Sequence, residues 1–246
     1  MPLVSIIIPS FNSVHFLQEC IDSVKSQSFK DYEVIIMDGE STDGTVDFLK
    51  SLNEPFFWRS EPDEGIYDAM NKGIEMSKGD WLYFLGCDDR LLGKDTLKSI
   101  FAKNIQKQTS LIIGKVQYDY SLEDSMLIKK NGGVFNPSWS FKIWIKNAVH
   151  HQGVFYRRDV FKLKQYSLEY KILSDYDFNL ALYKQGVSVL LMDQIVAVSK
   201  TIGISKKYHW SLYMEEIDLK SNQSSIIFRP IFYALGFFKY LLKRVI

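Results

Sequence analysis

The sequence predicts an α/β protein with a mostly parallel central sheet flanked by helices. Three short apolar runs, at residues 3–9, 32–37 and 81–85, are typical of buried parallel strands. Segments with apolar residues at helical spacing lie between them, and this alternation is typical of βαβ units. With 246 residues, 46% of them hydrophobic and 24% charged, the chain can bury the core of one α/β domain.

The first half of the chain has the clearer pattern. Its predicted elements are a strand at residues 3–9, a helix carrying Phe16, Leu17, Cys20, Ile21 and Val24, a strand at 32–37, a short helix at 46–52, a strand at 56–59, a helix at 67–76 and a strand at 81–85. The pattern weakens after Asp89. There we expect strands at 110–120 and 126–130 that form a hairpin, a strand leading into a helix at 154–161, a helix at 177–184 and a strand at 187–192.

Charge and cysteine content exclude several classes of protein. The net charge of +1 provides no global basic field, so we expect no nucleic-acid partner. The two cysteines have no metal-ligand spacing, which is typical of reduced thiols in a cytosolic protein. The first residues lead directly into a strand and show no secretory signal. We therefore expect a cytoplasmic location.

Asp88 and Asp89 directly follow the strand at residues 81–85. Ligands of open α/β sheets bind at the carboxyl ends of the strands. Two adjacent carboxylates at such an end are costly unless a cation or a substrate joins them, and Mg²⁺ prefers oxygen ligands. An exposed turn that caps a helix explains the same residues equally well on spacing alone.

Two other strand ends carry polar or aromatic residues. Pro9 is expected to end the first strand and Phe11 follows it, where Phe11 can pack on a base or simply in the core. Asp38 ends the second strand, where its carboxylate can accept hydrogen bonds from a nucleoside. Capping of the next helix explains the Ser-Thr-Asp run at 41–43 but does not explain Asp38.

The order of these motifs resembles that of family 2 glycosyltransferases, which have the GT-A fold. The matching segments are SIIIPSFN at residues 5–12, DGESTDGT at 38–45 and the run from Asp80 to Asp89. The resemblance is strong over residues 3–95 and can be followed to about residue 216. It implies a nucleoside diphosphate sugar donor, a divalent cation (Mn²⁺ or Mg²⁺) and inversion at the anomeric carbon.

The same resemblance implies a set of site residues. Phe11 corresponds to the aromatic residue near the base, Asp38 to the acid that contacts the nucleoside, and Asp63 completes that pocket. Asp88 corresponds to the second acid of the Asp-x-Asp metal motif. The predicted donor-binding residues are Pro9, Phe11, Asn12, Asp38, Asp63, Asn71 and Asp88, and the predicted metal ligands are Asp88 and Asp89.

Three positions depart from the family pattern. Gly86 stands where the first metal acid is expected, so Asp88 and Asp89 have to share the metal. Glu40 replaces a frequent glycine, and Met70 replaces an arginine that precedes Asn71 in many members.

An inverting transfer also requires a general base for the acceptor hydroxyl. Asp175, ahead of the helix predicted at 177–184, lies at the family's base position, and Asp177 is the second choice. Capping of that helix is the alternative explanation for Asp175. His151 and Gln152 resemble residues near the acceptor, with the two histidines at 150–151 expected on opposite faces of a strand. Residues 202–205 and His209 are candidates for a loop that closes over the donor.

The last segment, residues 226–246, is apolar and aromatic with four interspersed basic residues, Arg229, Lys239, Lys243 and Arg244. The charges leave too short an apolar run to span a bilayer, which requires about 20 residues. Basic and aromatic residues together favour a helix lying on an anionic membrane surface. Packing on the domain or on a partner subunit is the alternative.

These features predict a GT-A catalytic domain at residues 1–220, with a nucleotide-sugar-binding half at 1–95 and an acceptor-binding half at 96–220, and an amphipathic tail at 221–246. The expected acceptor is a saccharide or a lipid-linked molecule in surface polysaccharide synthesis, at the inner face of the plasma membrane. A nucleotidyltransferase and a non-catalytic nucleotide-sugar-binding protein are the alternatives. A nucleotidyltransferase would be expected to have a Gly-rich phosphate loop after the first strand, and this sequence has none there.

Overall fold

A computed structural model describes residues 1–119, 132–200 and 209–245, with side chains up to residue 242. The strands are β1 (Val4–Ser10), β2 (Tyr32–Asp38), β3 (Phe56–Ser60), β4 (Trp81–Phe84), β5 (Arg90–Leu91), β6 (Leu111–Tyr118), β7 (Val134–Phe135), β8 (Val154–Arg157) and β9 (Val189–Ser199). The helices are α1 (Val14–Lys25), α2 (Thr45–Lys50), α3 (Ile66–Met76), α4 (Thr96–Phe101), α5 (Ser174–Lys184), α6 (Trp210–Gln223) and α7 (Arg229–Val245).

The strands of the described residues form one sheet, in the order β3-β2-β1-β4-β8-β6-β9-β5, with β7 paired to β6. The four strands of the first half are mutually parallel. In the second half β8 lies antiparallel to β4 and β6, whereas β6 and β9 are parallel. The predicted α/β fold with a parallel core is confirmed.

Helices cover both faces of the sheet. Leu17 and Ile21 of α1 pack with Ile6 and Ile8 of β1 in one core. Met70 and Ile74 of α3 pack in a second core that includes Ile7, which lies between Ile6 and Ile8 on β1. Adjacent residues of a strand point to opposite faces, so one apolar strand supplies both cores. Phe16, in contrast, is 40% exposed and lies under the Lys200 ammonium group rather than in the core.

Pro9 lies inside β1 and does not end it as predicted. The pairing of β1 with β4 ends at Ile7↔Phe84, whereas its pairing with β2 continues to Ser10↔Asp38. Proline has no N–H to donate, so it can be tolerated on the side where a ladder stops.

Several elements of the second half differ from the prediction. β9 extends to Ser199, because Asp193 and Gln194 interrupt the apolar pattern without ending the strand. Helix α5 begins at Ser174 and not at residue 177. His151 lies in a 3₁₀ turn, His151–Gly153, and not in a strand. The strand predicted at 126–130 lies outside the described residues.

Helices α6 and α7 pack against each other as a pair. Gly236 allows close approach, since a Cβ there would lie 3.1 Å from Ile217 Cδ1. Glu216 of α6 binds the ammonium groups of Lys220 and Lys239. The predicted domain boundary at residue 220 falls within α6. Among the residues with described structure, no helix is both long enough and apolar enough to span a bilayer.

Candidate active site at the carboxyl ends of the parallel strands

The carboxyl ends of β3, β2, β1 and β4 lie side by side in that order along one edge of the sheet. The register places Ser10, Asp38 and Ser60 at equivalent heights. Parallel strands bring together the segments that follow them, here residues 61–65, 39–45, 11–13 and 85–89. Every donor-site residue predicted from the sequence except Asn71 therefore lies on or next to this edge.

Phe11 and Asp63 converge on Gly39. A Cβ atom at Gly39 would lie 2.6 Å from Asp63 Oδ2 and 3.3 Å from a Phe11 ring carbon. The Phe11 side chain is 64% exposed, which is unusual for a large aromatic residue in a well-packed fold. The edge therefore presents an open aromatic ring and a carboxylate that meet at Gly39.

Asp38 is buried beneath this group, with 1% of its surface exposed. Its carboxylate accepts hydrogen bonds from Ser41 N (3.0 Å), Ser41 Oγ (2.5 Å) and Ser60 Oγ (2.6 Å). A carboxylate has about four acceptor positions, so these three bonds use most of its capacity on a side chain that is almost fully buried. Asp38 organises the turn at 39–45, and its contact with a nucleoside stays a prediction.

Asn12 and Asn71 also hold the fold together. Asn12, at a φ of 46°, donates its N–H to Ser41 Oγ (2.7 Å) and accepts from Thr42 N at Oδ1 (2.9 Å). Asn71 exchanges two hydrogen bonds with the backbone of Tyr166, one through each end of its amide. The Asn71 amide is thus used to attach α3 to the segment that leads into α5.

Asp88 and Asp89 surround the position that a first metal acid would occupy. A Cβ at Gly86 would lie 2.5 Å from Asp89 Oδ2 and 3.0 Å from Asp88 Oδ1, so the two carboxylates converge on that space. Burial, and then the neighbouring charge of Asp88, raises the pKa of Asp89 to about 7. Asp89 Oδ1 accepts from the backbone N–H of Lys200 (3.0 Å), whereas Asp88 is half-buried.

These two carboxylates fit a hard divalent cation by their chemistry. Two converging anionic oxygens that repel each other are stabilised when a cation joins them. Within the described segments, no group of three or more His, Cys, Asp or Glu side chains is arranged to hold a metal. A cation here would therefore need additional oxygen ligands from a diphosphate and from water.

Asp175 lies in the first turn of α5 and contacts residues of two other elements. The Tyr67 hydroxyl of α3 lies 3.0 Å from Asp175 Oδ1, and His151 Nδ1 lies 3.8 Å from Oδ2. Glu215 of α6 accepts the backbone N–H groups of Lys171, Ile172 and Leu173, directly before the helix. Glu215 therefore fixes the backbone that leads into α5, whereas Leu173, the residue at the N-cap position, provides no side-chain cap.

His151 is a buried, uncharged neighbour of Asp175. Burial lowers its pKa, although the charge of Asp175 counteracts this. Neither ring nitrogen has a hydrogen-bond partner within the described parts of the chain. The ring packs 5.1 Å from that of Phe84. Gln152 accepts from the Tyr83 hydroxyl through its backbone carbonyl (3.0 Å), which attaches this turn to β4.

Asp177 is 2% exposed and accepts from Lys164 Nζ (2.6 Å) and Gln223 Nε2 (2.7 Å). These contacts attach α5 to its neighbours and disfavour Asp177 as a base. Residues 202–205, considered as a closing loop, lie outside the described residues, and His209 directly precedes α6. Tyr67 and Glu215 were missed from the sequence, because their partners lie 108 and about 40 residues away.

Comparison with protein families gives one match that covers most of the chain. The model of glycosyl transferase family 2 matches residues 5–188. A PGL/p-HBAD biosynthesis glycosyltransferase of Mycobacterium bovis is 34% identical over 206 residues, which cover 80% of this chain and 76% of the relative. Hyaluronan synthase of Pasteurella multocida is 25% identical over 89% of this chain and 23% of its own length.

Solved structures with the same fold include S. aureus TarS (residues 1–349) in complex with UDP-GlcNAc, with a TM-score of 0.71 and 19% identity. The match covers 91% of this chain and 66% of that TarS chain, just under two thirds of its length. The mannosyltransferase PcManGT of Pyrobaculum calidifontis, in complex with GDP-Man and Mn²⁺, has a TM-score of 0.66 and 17% identity, over 96% of this chain and 69% of its own.

Proposed function

Because this chain belongs to glycosyl transferase family 2 and is a glycosyltransferase, we propose that it transfers a sugar with inversion from a nucleoside diphosphate sugar to a hydroxyl group. The acceptor is a saccharide or a lipid-linked molecule of a cell-surface glycan. Relatives named for PGL/p-HBAD biosynthesis and for hyaluronan synthesis support this class of acceptor. The GT-A catalytic domain comprises residues 1–220, with its donor half at 1–95.

The order of the strand ends supports one orientation of the donor. The nucleoside lies at the ends of β3 and β2, with its base on the exposed Phe11 ring and near Asp63. The diphosphate extends past β1 to Asp88 at the end of β4. The sugar then lies beyond β4, on the side where β8 is the next strand and where His151 packs on Phe84.

Asp175 is the proposed general base. The acceptor oxygen forms a bond to the anomeric carbon while the bond from that carbon to the diphosphate oxygen breaks, and the acceptor proton moves to the Asp175 carboxylate. The nucleoside diphosphate leaves with the bonding electron pair. One carboxylate oxygen faces Tyr67 and the other faces His151. The His151 nitrogens are buried and lack hydrogen-bond partners in the described structure, so they lie beside the base without being exposed to solvent.

Asp88, with Asp89 beside it, would hold the divalent cation. When bound, Mn²⁺ or Mg²⁺ would stabilise the negative charge that develops on the departing diphosphate. Asp88 is the better exposed of the two acids, and its carboxylate faces the same space at Gly86 as that of Asp89.

One observation supports the proposal most directly. Phe11 and Asp63 converge on Gly39 near one end of the row of strand ends, and Asp88 lies at the other end of that row. Thermal shift with uridine, guanosine and thymidine diphospho-sugars, with and without Mn²⁺, tests it. We expect one nucleotide class to raise the melting temperature, and more strongly with Mn²⁺. No stabilisation by any of these donors would contradict the donor site.

Transfer assays on two variants test the assigned roles. Asp175→Asn should lower kcat by about 10³-fold or more while donor binding stays unchanged, because the base acts only in the chemical step. Asp88→Asn should weaken the Mn²⁺-dependent part of donor binding. Asp159→Asn, an exposed aspartate on another segment, is the matched control. Normal turnover of Asp175→Asn would exclude Asp175 as the base. If the wild type binds the donor but shows no turnover, a non-catalytic nucleotide-sugar-binding protein is favoured.

The exposed face of α7 supports peripheral membrane contact. Ile231, Leu235, Phe238 and Leu242 are each 44% exposed or more and recur at helical spacing. Two of the four basic residues of the tail are bound to α6, since Arg229 pairs with Asp218 and Lys239 with Glu216. We therefore expect binding that depends more on the apolar face than on anionic lipid.

Vesicle flotation tests the membrane contact. The wild type should bind zwitterionic vesicles and stay bound in 0.5 M salt (about 4 Å Debye length). Phe238→Asp should release the protein, whereas Leu163→Asp, an exposed apolar residue outside α7, should not. Absence of binding together with a Phe238-dependent dimer in sedimentation would instead assign this face to a second copy of the chain.

A further inference from the structure

Tyr67 is a buried residue of the donor half that reaches the proposed base in the acceptor half. Its side chain lies on α3, only four residues after Asp63, and is 8% exposed. Its hydroxyl lies 3.0 Å from Asp175 Oδ1 and 2.7 Å from the carbonyl oxygen of Ile172. Tyr67 thus contacts both the base and the backbone that leads into the base.

A tyrosine hydroxyl has one proton to donate and can also accept. Burial, and then the charge of Asp175, raises the pKa of Tyr67 well above its usual value, so the hydroxyl keeps its proton at neutral pH. Toward an ionised Asp175 the hydroxyl can only donate, and its one proton is shared between Asp175 Oδ1 and the carbonyl oxygen of Ile172. A carboxylate that rotates freely about χ2 exposes either oxygen to the acceptor, whereas one held at Oδ1 exposes Oδ2.

We propose that Tyr67 is a positioning residue for the base: its hydroxyl holds Asp175 Oδ1, so that Oδ2, which faces His151, takes the proton of the acceptor. The inference rests on the proposed role of Asp175 and adds a residue to it. Because Asp63 lies three residues before α3 and Tyr67 is the second residue of that helix, the donor site and the base are linked through one short segment.

Several other titratable groups face Asp175 and limit how the contact can be tested. They are His151 of the 3₁₀ turn, Tyr156 of β8 and Tyr166 before α5, and the charge of Glu215 of α6 acts on Tyr67. Tyr166 offers a matched control, because its ring packs 5.5 Å from that of Tyr67 and its hydroxyl interacts with that of Tyr156, with no hydrogen bond to Asp175 among the described residues. Tyr67→Phe and Tyr166→Phe each remove a single buried hydroxyl from the same aromatic cluster.

The test compares kcat, the donor KM and the pH profile of transfer for these variants. Tyr67→Phe should lower kcat by about 10- to 100-fold, as expected for loss of a hydrogen bond to a charged group, and leave the donor KM within about twofold. It should also move the acid limb of the profile to higher pH, because the lost donor favoured the ionised carboxylate. Tyr166→Phe should change neither kcat nor the limb.

Two outcomes overturn the inference in different ways. If Asp175→Asn is inactive and Tyr67→Phe has the wild-type kcat and profile, the base stands and the role of Tyr67 is wrong. If Asp175→Asn is fully active, the proposed base and this inference both fall. If Tyr67→Phe folds poorly, 3-fluorotyrosine at position 67 replaces it in the test. Its hydroxyl is a stronger donor, so the acid limb of the pH profile should move to lower pH, and an unchanged limb would contradict the proposal.

Discussion

Replacement of Glu216 by alanine should destabilise the protein through the two lysines that it binds. The Glu216 carboxylate pairs with Lys220 on α6 and with Lys239 on α7, and the Lys220 side chain is only 5% exposed. Burial lowers the pKa of Lys220 to about 8, although Glu216 counteracts this. Burial of the Lys220 charge therefore destabilises the folded state, and the Glu216 carboxylate offsets part of this cost.

The expected loss follows from burial. Removing one partner of a buried ion pair costs about 3–5 kcal/mol, and we take the lower end because both lysines keep a contact with the carbonyl of Ile145. For a chain of this size, about 3 kcal/mol lowers the melting temperature by roughly 6–12 °C. The exposed pair Asp47–Lys50, with side chains 82% and 60% exposed, should contribute less than about 1 kcal/mol.

Urea unfolding monitored by tryptophan fluorescence measures both variants. Glu216→Ala should unfold at clearly lower urea concentration than the wild type, and Asp47→Ala at nearly the same one. Limited proteolysis should cleave α7 first in Glu216→Ala, because Lys239 is one of its anchors to α6. Equal stability of Glu216→Ala and Asp47→Ala would refute the reasoning that this buried pair attaches α7.

Four further changes have expected outcomes. In EDTA, Asp89→Asn should be more stable than the wild type by an amount that grows from about pH 4 to pH 7 and then levels off at up to ~4 kcal/mol. The reason is that the pKa of Asp89 is raised to about 7 in the folded wild type, so between these pH values the folded state binds more protons than the unfolded state and loses stability as the pH rises. Phe84→Ala should cost about 3–5 kcal/mol in urea unfolding, because the ring is 1% exposed and packs on four other rings. Glu215→Gln should cost about 2 kcal/mol and lower kcat, because one amide oxygen cannot replace a carboxylate that accepts three N–H groups. Phe11→Ala should raise the donor KM by about tenfold, as expected for loss of one stacked ring.

The sequence was informative where local pattern and structure share a cause. The strands at 3–9, 32–37 and 81–85 could be predicted because a strand buried on both faces must be apolar at every position. Phe11, Asp38, Asp63 and the acids after β4 could be placed on one edge because parallel strands end together. The pattern failed for β9, where exposed Asp193 interrupts an otherwise continuous strand.

Contacts between distant segments were decided only by the tertiary structure. The backbone that leads into α5 is held by Glu215, about 40 residues downstream, and Asp175 lies in the first turn of that helix. Tyr67 has the spacing of an ordinary core residue of α3, yet its hydroxyl meets Asp175 across 108 residues of sequence. Arg229 and Lys239 belong to a basic tail in the sequence but are bound to α6 in the fold. Periodicity records which face of an element is buried, whereas the partner of a buried polar group depends on how the elements pack.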